Sequence, residues 1–157
     1  MAVVTAEIEV PCSVPAPKLF KLFSDFENIA PKAAPQVFKS VTTIQGDGIG
    51  SVNKVTYSDG IPYNTSNNRL DAVDTDNLSL TYTIIDGDIL MGILDEANHH
   101  CQFIPSDNGG SIFKQKMTFK CKGDSKLSEE HVKIAKEANT KTIKAFEAYA
   151  NAHPEVC

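Results

Sequence analysis

Between residues 2 and 11 apolar and polar side chains alternate, with Val4, Ala6, Ile8 and Val10 set against Thr5, Glu7 and Glu9. A period of two places each set on one face of a pleated chain, which predicts a half-buried strand that Pro11 and Pro15 end. Pro17 suits a first helical position for Lys18 to Phe23, where its missing N–H costs no intrahelical bond. Ser24 and Glu27 have the capping-box spacing of a second short helix, expected to stop before Pro31. From Gln36 to Lys122 the pattern breaks into six strand-like runs. They are separated by Gly46-Asp47-Gly48, Ser58-Asp59-Gly60, Asp74-Thr75-Asp76-Asn77, Asp86-Gly87-Asp88 and Asp107-Asn108-Gly109-Gly110. The clearest runs are Leu78/Leu80/Tyr82/Ile84 against Ser79/Thr81/Thr83, and Phe113/Gln115/Met117/Phe119/Cys121 against Lys114/Lys116/Thr118/Lys120/Lys122. They predict an antiparallel meander with one wet face and one covered face.

The period then changes to that of a helix. Ser128 stands as an N-cap between Leu127 and Val132, and Glu129 and Glu130 suit the positive end of a helix dipole. At about 100° per residue, Ile134, Ala135, Ala138, Thr142, Ala145, Phe146, Tyr149 and Ala152 share one arc. Lys133, Lys136, Glu137, Lys141, Lys144 and Glu147 fall on the other side. A long amphipathic helix is expected to cover the sheet, giving an α+β domain over residues 1–157.

Composition narrows the function. The chain has 157 residues, 41% of them hydrophobic, with 20 acidic and 15 basic side chains for a net charge of −5. That sign opposes counterion-release binding to phosphate backbones, so a nucleic-acid partner is not expected. No run approaches the roughly 20 apolar residues of a membrane span, and the N-terminus lacks the basic and apolar regions of a signal peptide. A cytosolic monomer with no membrane association is expected. Cys12, Cys101, Cys121 and Cys157 form no C-x-x-C pair and read as reduced thiols, with Cys101 and Cys121 in strands.

The covered faces carry the candidate chemistry. On the sheet side are Leu80, Tyr82, Phe113, Phe119 and the polar Gln115, while the helix answers with Ala135, Ala138, Thr142 and Ala145. A helix presenting methyl-sized groups to a curved sheet either packs close or leaves an apolar cavity, and composition leaves both open. If there is a cavity, Phe23, Phe38, Val55, Ile84, Cys101 and Met117 add to its apolar wall. Tyr57, Tyr63, Tyr82, Gln115 and Tyr149 are its candidate hydrogen-bonding anchors. His99 and His100 are adjacent in a strand and face opposite sides, so they cannot grip one metal ion, and no metal site or cofactor is expected. His99 reads as inward and is taken as a satisfied core imidazole, with a ligand anchor as the other reading. The loop Gly46, Asp47, Gly48 and Gly50 invites an anion-binding reading, but no G-K-[ST] follows and it joins two strands.

Several stretches resemble, in order and over essentially the whole chain, the plant class-10 pathogenesis-related proteins, the major birch-pollen-allergen family. They are Pro15-Ala16-Pro17-Lys18-Leu19-Phe20-Lys21, Pro31-Lys32-Ala33-Ala34-Pro35, Gly46-Asp47-Gly48-Ile49-Gly50-Ser51-Val52, Ile84-Ile85-Asp86-Gly87-Asp88, Asp107-Asn108-Gly109-Gly110-Ser111-Ile112, Lys122-Gly123-Asp124, and Phe146-Glu147-Ala148-Tyr149 with His153-Pro154. The resemblance implies the helix-grip fold, in which a seven-stranded curved antiparallel sheet and two short helices surround a long C-terminal helix and a hydrophobic cavity. It also implies a defence- or stress-related protein that binds a small hydrophobic plant metabolite or hormone, such as a cytokinin, a flavonoid or a sterol-like compound. The glycine loop is one residue shorter than the family pattern, and its usual lysine pair is Asn53-Lys54 here.

The resemblance carries alternatives as well. Ribonuclease activity credited to relatives would fall on Lys54, Asp95 or Glu96, Glu147 and Tyr149. Cleavage without metal needs an acid and a base at one phosphodiester, yet Glu147 and Tyr149 lie about 200° apart around a helix. A lyase or cyclase role would need a lysine inside the cavity, and none can be placed there. A receptor-like role, with a phosphatase as partner, follows only from distant relatives.

Overall fold

The N-terminal alternation forms β1 (Val3–Cys12), and the computed structural model, which describes residues 2–155, pairs it antiparallel with the last strand, β7 (Ser111–Cys121). The other strands are β2 (Phe38–Gln45), β3 (Val52–Tyr57), β4 (Thr65–Asp74), β5 (Ser79–Asp86) and β6 (Leu94–Pro105). Their spatial order is β1-β7-β6-β5-β4-β3-β2, with every neighbouring pair antiparallel. Six strands thus follow one another as a meander, and only β1 is joined from the opposite edge. The link from β1 to β2 is made by α1 (Ala16–Ser24) and α2 (Phe26–Ala33). Register shifts at Phe38/Ser40, Thr43/Gln45, Asn67/Asn68, Leu70/Ala72 and Leu94/Glu96 bend the strands, as bulges do, and wrap the sheet around α3 (Glu129–Ala152).

The packed core sits at one end of this grip. Phe23 of α1 meets Phe103 at 5.6 Å, Phe113 at 5.9 Å and Phe146 at 5.4 Å between ring centroids. One aromatic cluster therefore ties α1, β6, β7 and α3 together, in the tilted and edge-on geometries that aromatic quadrupoles favour. Phe26 of α2 stacks on Phe146 and sets its edge against Phe38. At the start of α3, the Ser128 hydroxyl accepts from His131 N–H at 3.1 Å, and His131 Nδ1 accepts from Ser128 N–H at 3.3 Å. The cap stands at Ser128 as the sequence predicts.

The fold departs from the sequence reading in several places. Pro11 does not end β1, because an edge position opposite Ile112 tolerates its missing N–H. Ser24 donates its hydroxyl to Phe20 O at 2.7 Å and so does not cap α2, whose N-cap is Asp25 without a side-chain cap bond. Pro31 lies inside α2, which continues to Ala33 at the loss of one bond to Glu27 O. On β5, Ser79 and Thr83 are buried although they lie on the polar set, and Thr83 bonds Asp71 and Asn98 on that face. Leu78 precedes the strand with a positive φ of 52°. The buried arc of α3 is also rotated: Ile134 is 40% exposed and Ala152 is exposed, whereas Ile143 is 1% exposed. Cys12, Cys101 and Cys121 are buried free thiols; Cys157 lies outside the described residues.

Candidate functional site

The buried residues of α3 are Ile143, Phe146 and Ala150, all in its C-terminal half. Earlier along the helix the small groups Ala135, Ala138 and Thr142 face the sheet beside the polar Asn139, and none of them is fully buried. The helix is therefore held down at one end and stands off at the other. Between its raised half and the sheet lies a cavity of about 360 Å³. The small-residue arc thus leaves a space instead of closing it.

Each wall comes from a recognisable element. Tyr82 and Ile84 of β5, Ala97 and His99 of β6, and Phe113, Gln115 and Phe119 of β7 form the sheet side. Phe23, Phe26, Val37 and Phe38 close one end, and Leu94, Leu127, His131, Asn139 and Ile143 complete the other walls. Tyr57, Pro62, Tyr63 and the single helical turn Asp88–Leu90 with Met91 form a further side. Met91 and Ile134 are 44% and 40% exposed, which marks where the cavity reaches the surface. The Asp88 carboxylate accepts from the N–H groups of Asn64 and Thr65, which fixes this turn to β4 and holds the carboxyl below its ordinary range.

Inside this apolar wall is a short polar row. Gln115 Nε2 donates to His99 Nδ1 at 2.9 Å and to Asn139 Oδ1 at 3.4 Å, while Asn139 Nδ2 donates to Ala135 O at 2.8 Å. Because His99 Nδ1 accepts, the ring proton is on Nε2. That Nε2, together with Gln115 Oε1 and Asn68 Oδ1, is buried without a hydrogen-bond partner. His99 is thus inward, as its strand position predicts, but it is not a satisfied core imidazole. Its ring lies 4.7 Å from the Tyr82 ring with 7° between their planes, and burial lowers its pKa to about 4. Burial raises the phenols of Tyr57, Tyr63 and Tyr82, and the Tyr57 hydroxyl lies 2.9 Å from Ser66 Oγ. At neutral pH these side chains are uncharged hydrogen-bonding groups.

Other sequence candidates lie elsewhere. Val55, Cys101 and Met117 are completely buried in the packed core and do not line the cavity. Tyr149 does not line it either; it stacks on His153 at 4.2 Å near the end of α3. Leu80, Gly46, Asp47 and Gly48 border a second hollow of about 370 Å³, which shares Phe23, Phe26, Asn68 and Tyr82 with the first. Gly50 N–H donates to Leu70 O at 2.7 Å and Ser51 N–H to Gly48 O at 3.1 Å, so these loop amides are engaged and do not form an anion cradle.

The four ribonuclease candidates are not brought together. Glu96 pairs with Lys120 across β6 and β7 at 3.7 Å, and Lys54 sits exposed on β3, separated from β6 by both β5 and β4. Glu147 accepts from Ser13 N–H at 2.6 Å and from Lys144 at 3.0 Å, on the β1 side of α3.

Asn68 and Asn139 are residues the sequence reading passed over. Asn139, at mid-helix one position from Ala138, was the visible signal, since a poor helix former there needs a partner. Asn68 is masked by the polar run Thr65 to Arg69, which shows no hydrophobic alternation.

Comparison with known proteins agrees with this architecture. Residues 1–153 match the model of the pathogenesis-related protein Bet v 1 family. A root allergen protein of Taraxacum officinale is 49% identical over 154 residues, covering 97% of this chain and 98% of that protein. Pathogenesis-related protein B of Petroselinum crispum is 39% identical, with 95% and 97% covered. The crystal structure of Ara h 8.0201 superimposes with a TM-score of 0.82 at 30% identity, covering 96% of this chain and 99% of that one. With a family match of that extent, and a seven-stranded sheet gripping one long helix over a cavity, the chain belongs to the pathogenesis-related protein Bet v 1 family.

Proposed function

We propose that this protein takes up a small apolar plant metabolite or hormone between the sheet and the raised half of α3, as an intracellular defence- or stress-associated carrier. The carrying observation is the cavity of about 360 Å³ beneath Ala135, Ala138 and Thr142, walled by Phe, Tyr and Ile side chains. Burying a ligand's apolar surface there contributes about 25 cal/mol per Å², and the few polar groups set its orientation. Among the described residues no lysine or arginine lines the cavity, so acid–lysine chemistry has no group there to perform it. No described helix is long and apolar enough to cross a membrane. The test is titration of delipidated protein with a neutral solvatochromic dye, followed by displacement with a cytokinin, a flavonoid and a sterol. Saturable dye binding displaced by one of these classes supports the carrier function. A folded sample that binds neither dye nor metabolite refutes it.

A further inference from the structure

The three orphaned polar atoms bordering the cavity are of two kinds. His99 Nε2 carries a proton and is a donor, because Nδ1 already accepts from Gln115; Gln115 Oε1 and Asn68 Oδ1 are acceptors. The residues His99 and Gln115 are 4% and 2% exposed. A buried polar group without a partner costs of order 1–3 kcal/mol, so a ligand that supplies the partner gains what the fold forgoes. The carboxylate and the imidazole elsewhere in the lining are occupied. Asp88 is held by Asn64 and Thr65, and His131 belongs to the cap of α3.

We infer that the His99–Gln115 pair is a specificity-determining site for a neutral hydroxyl group on an otherwise apolar ligand. The inference rests on the carrier function proposed above and names the chemistry that this chain selects. A carboxylate could accept from His99 Nε2–H but has no proton to donate to Gln115 Oε1 or Asn68 Oδ1. It would also enter a space with no cationic side chain to offset its desolvation. An ammonium could donate to an amide oxygen but would leave the His99 N–H without an acceptor, and the one carboxylate among the described lining residues, Asp88, is exposed and bound to the Asn64 and Thr65 amides. An ether accepts and cannot donate, leaving Gln115 Oε1 unmet. A hydroxyl both donates and accepts, so it can satisfy either kind of orphan wherever the skeleton holds it. It also reproduces the bonds of a water it displaces, which an ether does not.

Three probes on one ring system separate these cases: naphthol, its methyl ether and naphthoate, each titrated by displacement of the neutral dye at pH 7. Wild-type protein is expected to bind naphthol at least about tenfold more tightly than either the ether or the carboxylate, the worth of roughly one buried hydrogen bond. In Gln115→Leu the affinity for naphthol falls to within about twofold of that for the ether. His99→Phe, which keeps a ring against Tyr82, gives the same levelling if Gln115→Leu fails to fold. Equal affinity for naphthol and its ether in wild type, or a naphthol preference that survives both substitutions, overturns the inference while leaving the carrier function standing. Absence of binding by the dye and all three probes overturns both.

Discussion

His99 gives stability a pH dependence that can be isolated. In the unfolded chain its imidazole takes up a proton near the ordinary value of 6.5; in the fold, burial delays this to about 4. Between those values the unfolded state binds more protons, so stability is intact above 6.5 and falls as the pH is lowered toward 4. Applying proton linkage between pH 7 and about pH 4.5 gives a loss of about 2 kcal/mol from this residue alone. His99→Gln removes the titration while keeping an amide oxygen able to accept from Gln115. Urea unfolding of both proteins at both pH values supplies the comparison, with the midpoint and slope fitted separately. Contributions from carboxylates act equally in the two proteins and cancel in the difference. The expected result is that wild type loses about 2 kcal/mol more than His99→Gln on acidification. Parallel losses would refute the reasoning, because they would mean that His99 protonates in the fold as readily as out of it.

Three further outcomes follow from the geometry. Ala138→Phe fills the space under α3, and is expected to abolish dye binding while the thermal midpoint stays the same or rises, as read by fluorescence titration and calorimetry on one sample. Gly87 sits at φ 116° with its backbone against β4, and an added Cβ would fall 2.7 Å from Ser66 Cα. Gly87→Ala is expected to destabilise by more than about 2 kcal/mol in urea unfolding, because both the backbone conformation and the contact oppose it. Partial burial opposes ionisation of Glu147, but the Ser13 N–H, the Lys144 ammonium and the Ser13 hydroxyl outweigh it and hold the carboxyl below its usual range. Glu147→Gln is expected to cost roughly 1 kcal/mol at pH 7. That difference from wild type should fade as the pH falls through the lowered pKa, and RNA-cleavage assays should not distinguish the two proteins.

Much of the architecture is legible because burial imposes a period. β1 and β7 alternate without interruption, each having one face on the core and one toward solvent, and Ser128 marks the start of α3 through its local cap. Legibility fails where the inward face is not apolar. The inner positions of β4 are Ser66, Asn68 and Leu70, so a residue bordering both hollows carries no hydrophobic signal. It fails again where a helix face is read from composition. Assigning Ile134 to the core is reasonable for a helix buried along its length, but α3 is buried only at its far half, where Ile143 takes that place. Tyr149 misleads for the same reason: it lies on the apolar arc, past the cavity, and its ring is taken by His153. The cavity itself could be anticipated from Ala135, Ala138 and Thr142, but not decided, since small residues are equally compatible with close packing. The pairing of Gln115 with His99 depends on strand register between β6 and β7, which composition does not specify.

The division of α3 into a seated half and a raised half bears on how such a protein can diversify. Ile143, Phe146 and Ala150 anchor the helix, while Ala135, Ala138 and Asn139, two to three turns earlier, touch whatever the cavity holds. Most positions that touch the cavity's contents are therefore separate from those that hold the 24-residue helix in place, Ile143 alone serving both, and all lie on one continuous rod. Exchanges at the raised end can reshape the chamber without loosening the anchor. A lineage can then explore new ligands by single substitutions, each starting from a chain that still folds.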